Sequence, residues 1–75
     1  MNKEELLKQF GKNVKIERIK KDLSQEKLSN IMNVNQNYIS SIENGKENMS
    51  LGKILELSQY INTDINNLLD FKYQK

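Results

Sequence analysis

The sequence predicts an all-α fold of five short helices, the second and third joined as a helix-turn-helix. Three observations lead there. Apolar residues recur at helical spacing through most of the chain. Pro is absent and Gly occurs three times, so helix breakers are few. Short polar residues stand just before the apolar runs, where helix N-caps belong. The 75 residues fit one small domain, taken as 1–75, whose core is marginal and whose helices must bury their stripes efficiently.

The first helix is expected from about Glu4 to Lys21, with Leu6, Leu7, Phe10, Val14, Ile16 and Ile19 on a wide apolar face. Gly11 inside it costs up to about 1 kcal/mol against Ala, which predicts close approach of a neighbouring helix. Ser24 caps the second helix, with Lys27 where a full capping box has Glu or Gln. Leu28, Ile31 and Met32 form that helix's stripe. Asn33 stands where the helix ends, and Asn tolerates the left-handed conformation a tight turn needs. Val34 follows as a buried turn residue.

Asn35 caps the third helix, about 35–44, with Ile39 and Ile42 inward. Gly45 supplies the positive φ that closes it. Ser50 caps the fourth helix, whose Leu51, Ile54, Leu55, Leu57 and Ile61 form a broad buried stripe. Either Thr63 or Asp64 caps the fifth, with Ile65, Leu68 and Leu69 inward. The closing FKYQK reads as a frayed tail. Two short helices joined by about four residues, as the second and third are, make a helix-turn-helix.

Composition narrows the function. Cys and His are both absent. That removes disulfides, thiolate metal sites, and the commonest general base and metal ligand. No acid–base pair or metal cluster can be assembled from what remains, so neither an enzyme nor a cofactor or metal is expected. The charged start MNKEELLKQF has no apolar core of a signal peptide. No apolar run approaches the roughly 20 residues that span a bilayer. The expectation is a cytoplasmic protein that does not engage the membrane.

Net charge is +2, and its distribution says more. Residues 1 to 22 carry +3, residues 23 to 46 balance, and residues 47 to 75 carry −1. The basic first third is either a solvated helix face or a source of attraction to a polyanion. The stretch NVNQNYISSIENGK, residues 33 to 46, is polar yet nearly uncharged. A helix serving solubility alone would carry more Lys and Glu.

An ordered set of residues carries a resemblance: Phe10-Gly11, Val14, Arg18, Leu23-Ser24-Gln25, Leu28-Ser29, Val34, Tyr38-Ile39-Ser40, Ile42-Glu43-Asn44-Gly45, then Leu51, Leu57, Ile61 and Asp64. Over residues 10 to 69 the chain resembles the DNA-binding domain of the Cro and phage-repressor, or Xre-like, family. The implied fold is the five-helix lambda-repressor-like domain. Ser29 replaces the usual Ala, Asn33 the usual turn Gly, and Met49 stands near a frequent Pro. The run YISSIENGKENMS, residues 38 to 50, is also similar to the small controller proteins of restriction–modification operons.

The resemblance implies a sequence-specific transcriptional regulator binding double-stranded DNA, with the third helix in the major groove. Gln36, Asn37 and Ser41 fall at base-reading positions, and Ser40 shares their outward side. Amides and hydroxyls are side chains that read base edges. Gln25, Asn35, Asn44 and Lys46 match phosphate-holding positions. Tyr38 either packs on the DNA backbone or covers the helix junction. Arg18 and Glu43 occupy positions that pair across the first and third helices. The family binds pseudo-palindromic operators as homodimers, with Ile65, Asn67 and Leu69 as interface candidates and Phe71 and Tyr73 as extras; Leu69 serves equally well as core. No small-molecule ligand is expected. The competing expectation is a protein-interaction module on the same fold, which acids on the outward face of the third helix would favour; that face has none.

Overall fold

The computed structural model describes residues 1–71. Its helices are α1 (Lys3–Lys20), α2 (Gln25–Met32), α3 (Gln36–Glu43), α4 (Leu51–Ile61) and α5 (Ile65–Leu68). Each begins with a short polar side chain that accepts from a backbone N–H otherwise left without a partner. Asn2, Ser24, Asn35, Ser50 and Asp64 do this for α1 to α5 in turn. The cap of α5 is therefore Asp64, and Thr63 is free for another partner. Two helices end on Asn in the left-handed region, Asn33 after α2 (φ 56°) and Asn62 after α4 (φ 61°). Gly45, at φ 74°, follows α3, and a Cβ there would also press within 2.8 Å of the α1 backbone at Lys8.

The core is Phe10 and Val14 from α1, Leu28 from α2, Ile39 and Ile42 from α3, Ile54, Leu57 and Ile61 from α4, and Leu68 from α5. α1 packs against α3 and α5, α2 against α3 and α4, and α4 against α5. Val34 is half-buried against this core rather than fully enclosed.

Several residues expected inward face solvent. Ile16 and Ile19 of α1 are exposed, as is Leu6. At about 100° per residue, Ile16 lies roughly 200° round the helix from Val14, and Ile19 roughly 180° from Phe10. The face that meets α3 and α5 instead runs through Phe10, Gly11, Asn13, Val14, Glu17 and Arg18, half of it polar. Ile31 of α2 is likewise exposed. On α4 the buried side is Ile54, Leu57, Ser58 and Ile61, which leaves Leu51 at 71% and Leu55 at 45% exposure. Those two sit on one flank of the helix, beyond the reach of α2 and α5.

Buried polar groups are all satisfied among the described residues. Asn13 donates from Nδ2 to the carbonyls of Leu68 and Asp70, both at 3.0 Å, and so staples α1 to the end of α5. Ser29 stands buried where related sequences have Ala, and its hydroxyl donates to the Glu26 carbonyl at 2.7 Å.

Candidate nucleic-acid interface

α2 and α3 are joined by Asn33, Val34 and Asn35. The left-handed Asn33 turns the chain, its N–H bonds the Asn30 carbonyl at 3.2 Å, and the Val34 N–H bonds the Ser29 carbonyl at 2.9 Å. These bonds satisfy the last carbonyls of α2 and fix where α3 starts. Asn35 Oδ1 then accepts from the Asn37 N–H at 2.8 Å.

α3 has one buried side and one open side. Ile39 and Ile42 are fully enclosed and Glu43 nearly so. Gln36 and Asn37 are exposed, Ser40 and Ser41 half-buried, and Asn44 exposed just past the helix end. Asn44 Nδ2 lies 3.3 Å from Ser40 Oγ, which links the two along that side. Tyr38 is half-buried against the core and lines a groove of about 510 Å³ with Met32, Val34, Asn35, Met49, Lys53, Glu56 and Tyr60. Lys46 is exposed beyond the cap. The helix carries no Lys or Arg, and its one acid, Glu43, points inward. The open side is thus a neutral surface of amide and hydroxyl donors and acceptors.

The structure brings Arg18 and Glu43 together. Arg18 Nε donates to Glu43 Oε2 at 2.7 Å and Nη2 to Oε1 at 3.0 Å. Arg18 Nη1 donates to the Leu23 carbonyl at 2.8 Å. This two-pronged pair is charge-assisted and enclosed, so it fixes α3 against α1 with a defined geometry. Gln25 is half-buried and donates from Nε2 to Glu43 Oε1 at 3.1 Å. Its amide nitrogen is therefore directed into the protein. Gly11 lets the two helices touch, since a Cβ there would lie 2.5 Å from the Glu43 carbonyl oxygen and 2.6 Å from that of Ile42.

Two polar groups that hold this frame are absent from the residues singled out by sequence. Glu17 accepts from Thr63 Oγ1 at 2.7 Å and from Lys20 Nζ at 3.2 Å, which ties α1 to the α4–α5 junction. The Thr63 hydrogen bond, with help from Lys20 and Lys21, holds the Glu17 carboxyl below its ordinary value, although burial pushes the other way. Asn13 is the second. Both lie on the turn-spaced face marked by Phe10 and Val14, and that spacing is the signal that could have found them; their partners, more than 40 residues away, left none.

Of the interface candidates, Ile65 and Leu69 are half-buried against the core, and Asn67 is exposed with Nδ2 donating to Thr63 Oγ1 at 3.0 Å. Phe71 also packs on the core. Tyr73 lies outside the described residues. Among the described residues no group of His, Cys, Asp or Glu is arranged to hold a metal, and no helix is long and apolar enough to cross a membrane.

Fold and site together define an Xre-like helix-turn-helix protein. The helix-turn-helix family model matches residues 14–68, and the chain belongs to that family of DNA-binding transcription regulators, which are not enzymes. The chain is 40% identical over 63 residues to the control protein C.BamHI of Bacillus amyloliquefaciens, covering 83% of this chain and 78% of the relative. It is 33% identical over 60 residues to the control protein C.SmaI of Serratia marcescens, covering 80% and 71%. Among solved structures, the restriction–modification controller protein C.AhdI from Aeromonas hydrophila superposes with a TM-score of 0.74 at 32% identity, covering 83% of this chain and 94% of that one. A hypothetical transcription factor from Neisseria, NHTF, shares the fold with a TM-score of 0.78 at 23% identity, covering 92% and 79%.

Proposed function

We propose that this protein is a cytoplasmic controller that binds a pseudo-palindromic operator as a homodimer and regulates a restriction–modification operon. α3 enters the major groove of each half-site. Gln36, Asn37, Ser40 and Ser41 read base edges, with Gln and Asn suited to adenine. Asn35, Tyr38, Asn44 and Lys46 hold phosphates on either side. Gln25 reaches a phosphate only by releasing Glu43.

The observation that carries this reading is the neutral open side of α3, held on a frame whose one acid is buried under Arg18. Charged side chains there would attract or repel phosphate without telling most bases apart. The kinship with control proteins supports the operon assignment. The exposed Leu51 and Leu55 support a second copy, because water-facing leucines on one helix flank gain from being covered. Leu51 also borders an apolar cavity of about 260 Å³ shared with Leu69 and Phe71, beside the interface candidates Ile65 and Asn67.

Selection of bound sites from random duplex DNA at a stated salt concentration tests the reading. The expected result is a two-fold site whose halves lie about one DNA turn, roughly 34–36 Å, apart. Gln36→Ala should then cost about 1–3 kcal/mol and relax preference at one position per half-site. Equal affinity for selected and random DNA would sink the proposal.

A further inference from the structure

Glu43 ends α3, and only 3% of its side chain is exposed. Three donors reach its carboxylate: Arg18 Nε at 2.7 Å, Arg18 Nη2 at 3.0 Å and Gln25 Nε2 at 3.1 Å. An ionised carboxylate only accepts hydrogen bonds, so it is the amide nitrogen of Gln25 that must face it. The amide oxygen is the end left over, and an acceptor cannot bond a phosphate oxygen. Turning the amide round to hold a phosphate would strip a donor from an enclosed carboxylate, which is a costly exchange.

We infer that Gln25 is a positioning residue, which sets the angle of the recognition helix through Glu43 instead of holding a phosphate. The inference rests on the DNA-binding function proposed above. Gln25 is the first residue of α2 and Glu43 the last of α3. The two helices are joined at one end by the covalent turn at Asn33, and the Gln25–Glu43 hydrogen bond closes the other end. Arg18 ties the same carboxylate to α1 and, through Nη1 on the Leu23 carbonyl, to the segment leading into α2. Arg18 alone leaves α3 anchored to α1 but free to swing relative to α2. With Gln25 in place α3 is held to both, and the direction in which Gln36 and Asn37 leave the protein is set before DNA arrives.

Gln25→Ala removes the donor, and Gln25→Glu sets a second carboxylate against Glu43. Both are compared with wild type, first without DNA and then on the selected site. The Ala variant should melt about 4–8 °C lower, the shift that one ordinary hydrogen bond gives at this size, and the Glu variant lower still. Backbone amides of α3 should exchange hydrogen faster in both. On DNA, the ratio of selected-site to random-site affinity should fall about tenfold for the Ala variant, the equivalent of one such contact. Replacing operator phosphates one at a time by methylphosphonate should weaken wild type and the Ala variant by the same factor at every position.

An Ala variant that melts with wild type overturns the inference. So does a phosphate whose replacement matters to wild type and not to the variant. A lower melting temperature with an unchanged affinity ratio also overturns it, since the contact would then stabilise without positioning. If the Glu variant does not fold, the Ala variant carries the test alone. A wild type with no preferred sequence overturns the DNA-binding function and the inference together, whereas the other outcomes leave that function standing.

Discussion

Arg18 shows what a single side chain does in this domain. Its guanidinium makes three hydrogen bonds, two to Glu43 and one to the Leu23 carbonyl. Removing one partner of an enclosed pair leaves the other charged and unmatched, which costs about 3–5 kcal/mol. A chain this short has roughly 4–11 kcal/mol in total. Arg18→Ala should therefore lower the melting temperature sharply and weaken DNA binding indirectly; a melting curve that overlays wild type would show the pair to be dispensable. Glu17 makes a quieter contribution with a pH signature. Its carboxyl is held below the ordinary value chiefly by the Thr63 hydroxyl. A depressed carboxyl stabilises the fold fully above the unfolded-state value and loses that contribution as pH falls through the folded-state value. Thr63→Val should thus lower stability at neutral pH, and its gap to wild type should narrow as pH drops below the usual glutamate range. Thermal melts from pH 7 to pH 3 check this, and a gap that stays constant would separate Thr63 from Glu17. The Arg18–Glu43 pairing followed from family positions in the sequence. The partners of Glu17 and Asn13 were not legible, because nothing local records that Thr63 or the end of α5 will arrive beside α1.

At the scale of the elements, caps and turns were the most legible features, because they depend on neighbours in sequence. Ser24, Asn35 and Ser50 cap the helices they precede, and Asn33 and Gly45 adopt the positive φ their positions require. The structure also gives the abundant Asn a use, at caps, at the left-handed turns and inside α1. Faces were less legible. A helix with apolar residues on more than one side has several candidate stripes, and only the neighbour it meets chooses among them. α1 illustrates this: Ile16 and Ile19 lost to a face containing Asn13, Glu17 and Arg18. Gly11 is the element-scale test. In an isolated helix Gly11→Ala would gain about 1 kcal/mol. Here the added methyl meets the α3 carbonyls at 2.5 and 2.6 Å, which are backbone atoms that cannot swing aside. Overpacking of this kind costs about 1–3 kcal/mol, so the net effect should be destabilising, with α3 displaced and specific DNA affinity reduced. A variant that melted higher than wild type would show that α3 yields easily.

For the whole molecule, the exposed flank of α4 matters most. Leu51 and Leu55 were expected in the core, and in one copy of the chain they have no cover. The proposed homodimer gives them one. Leu51→Glu should leave the fold of a single copy intact, since the side chain is already in water, yet shift sedimentation towards monomer and weaken operator binding by at least tenfold at low protein concentration. A variant that stays dimeric would move the interface elsewhere. The sequence by itself determined the helix count, the caps, the turn between α2 and α3 and the family, because these rest on local preferences and on the order of residues along the chain. It also marked α3 as an uncharged polar surface, since charge is a property of composition. Only the tertiary structure decided which stripe of α1 and α4 is buried, that Glu17 meets Thr63 and Asn13 the end of α5, and that Gln25 turns its amide to Glu43. Those outcomes depend on which surfaces meet when five helices close on one small core, and that competition is settled in space.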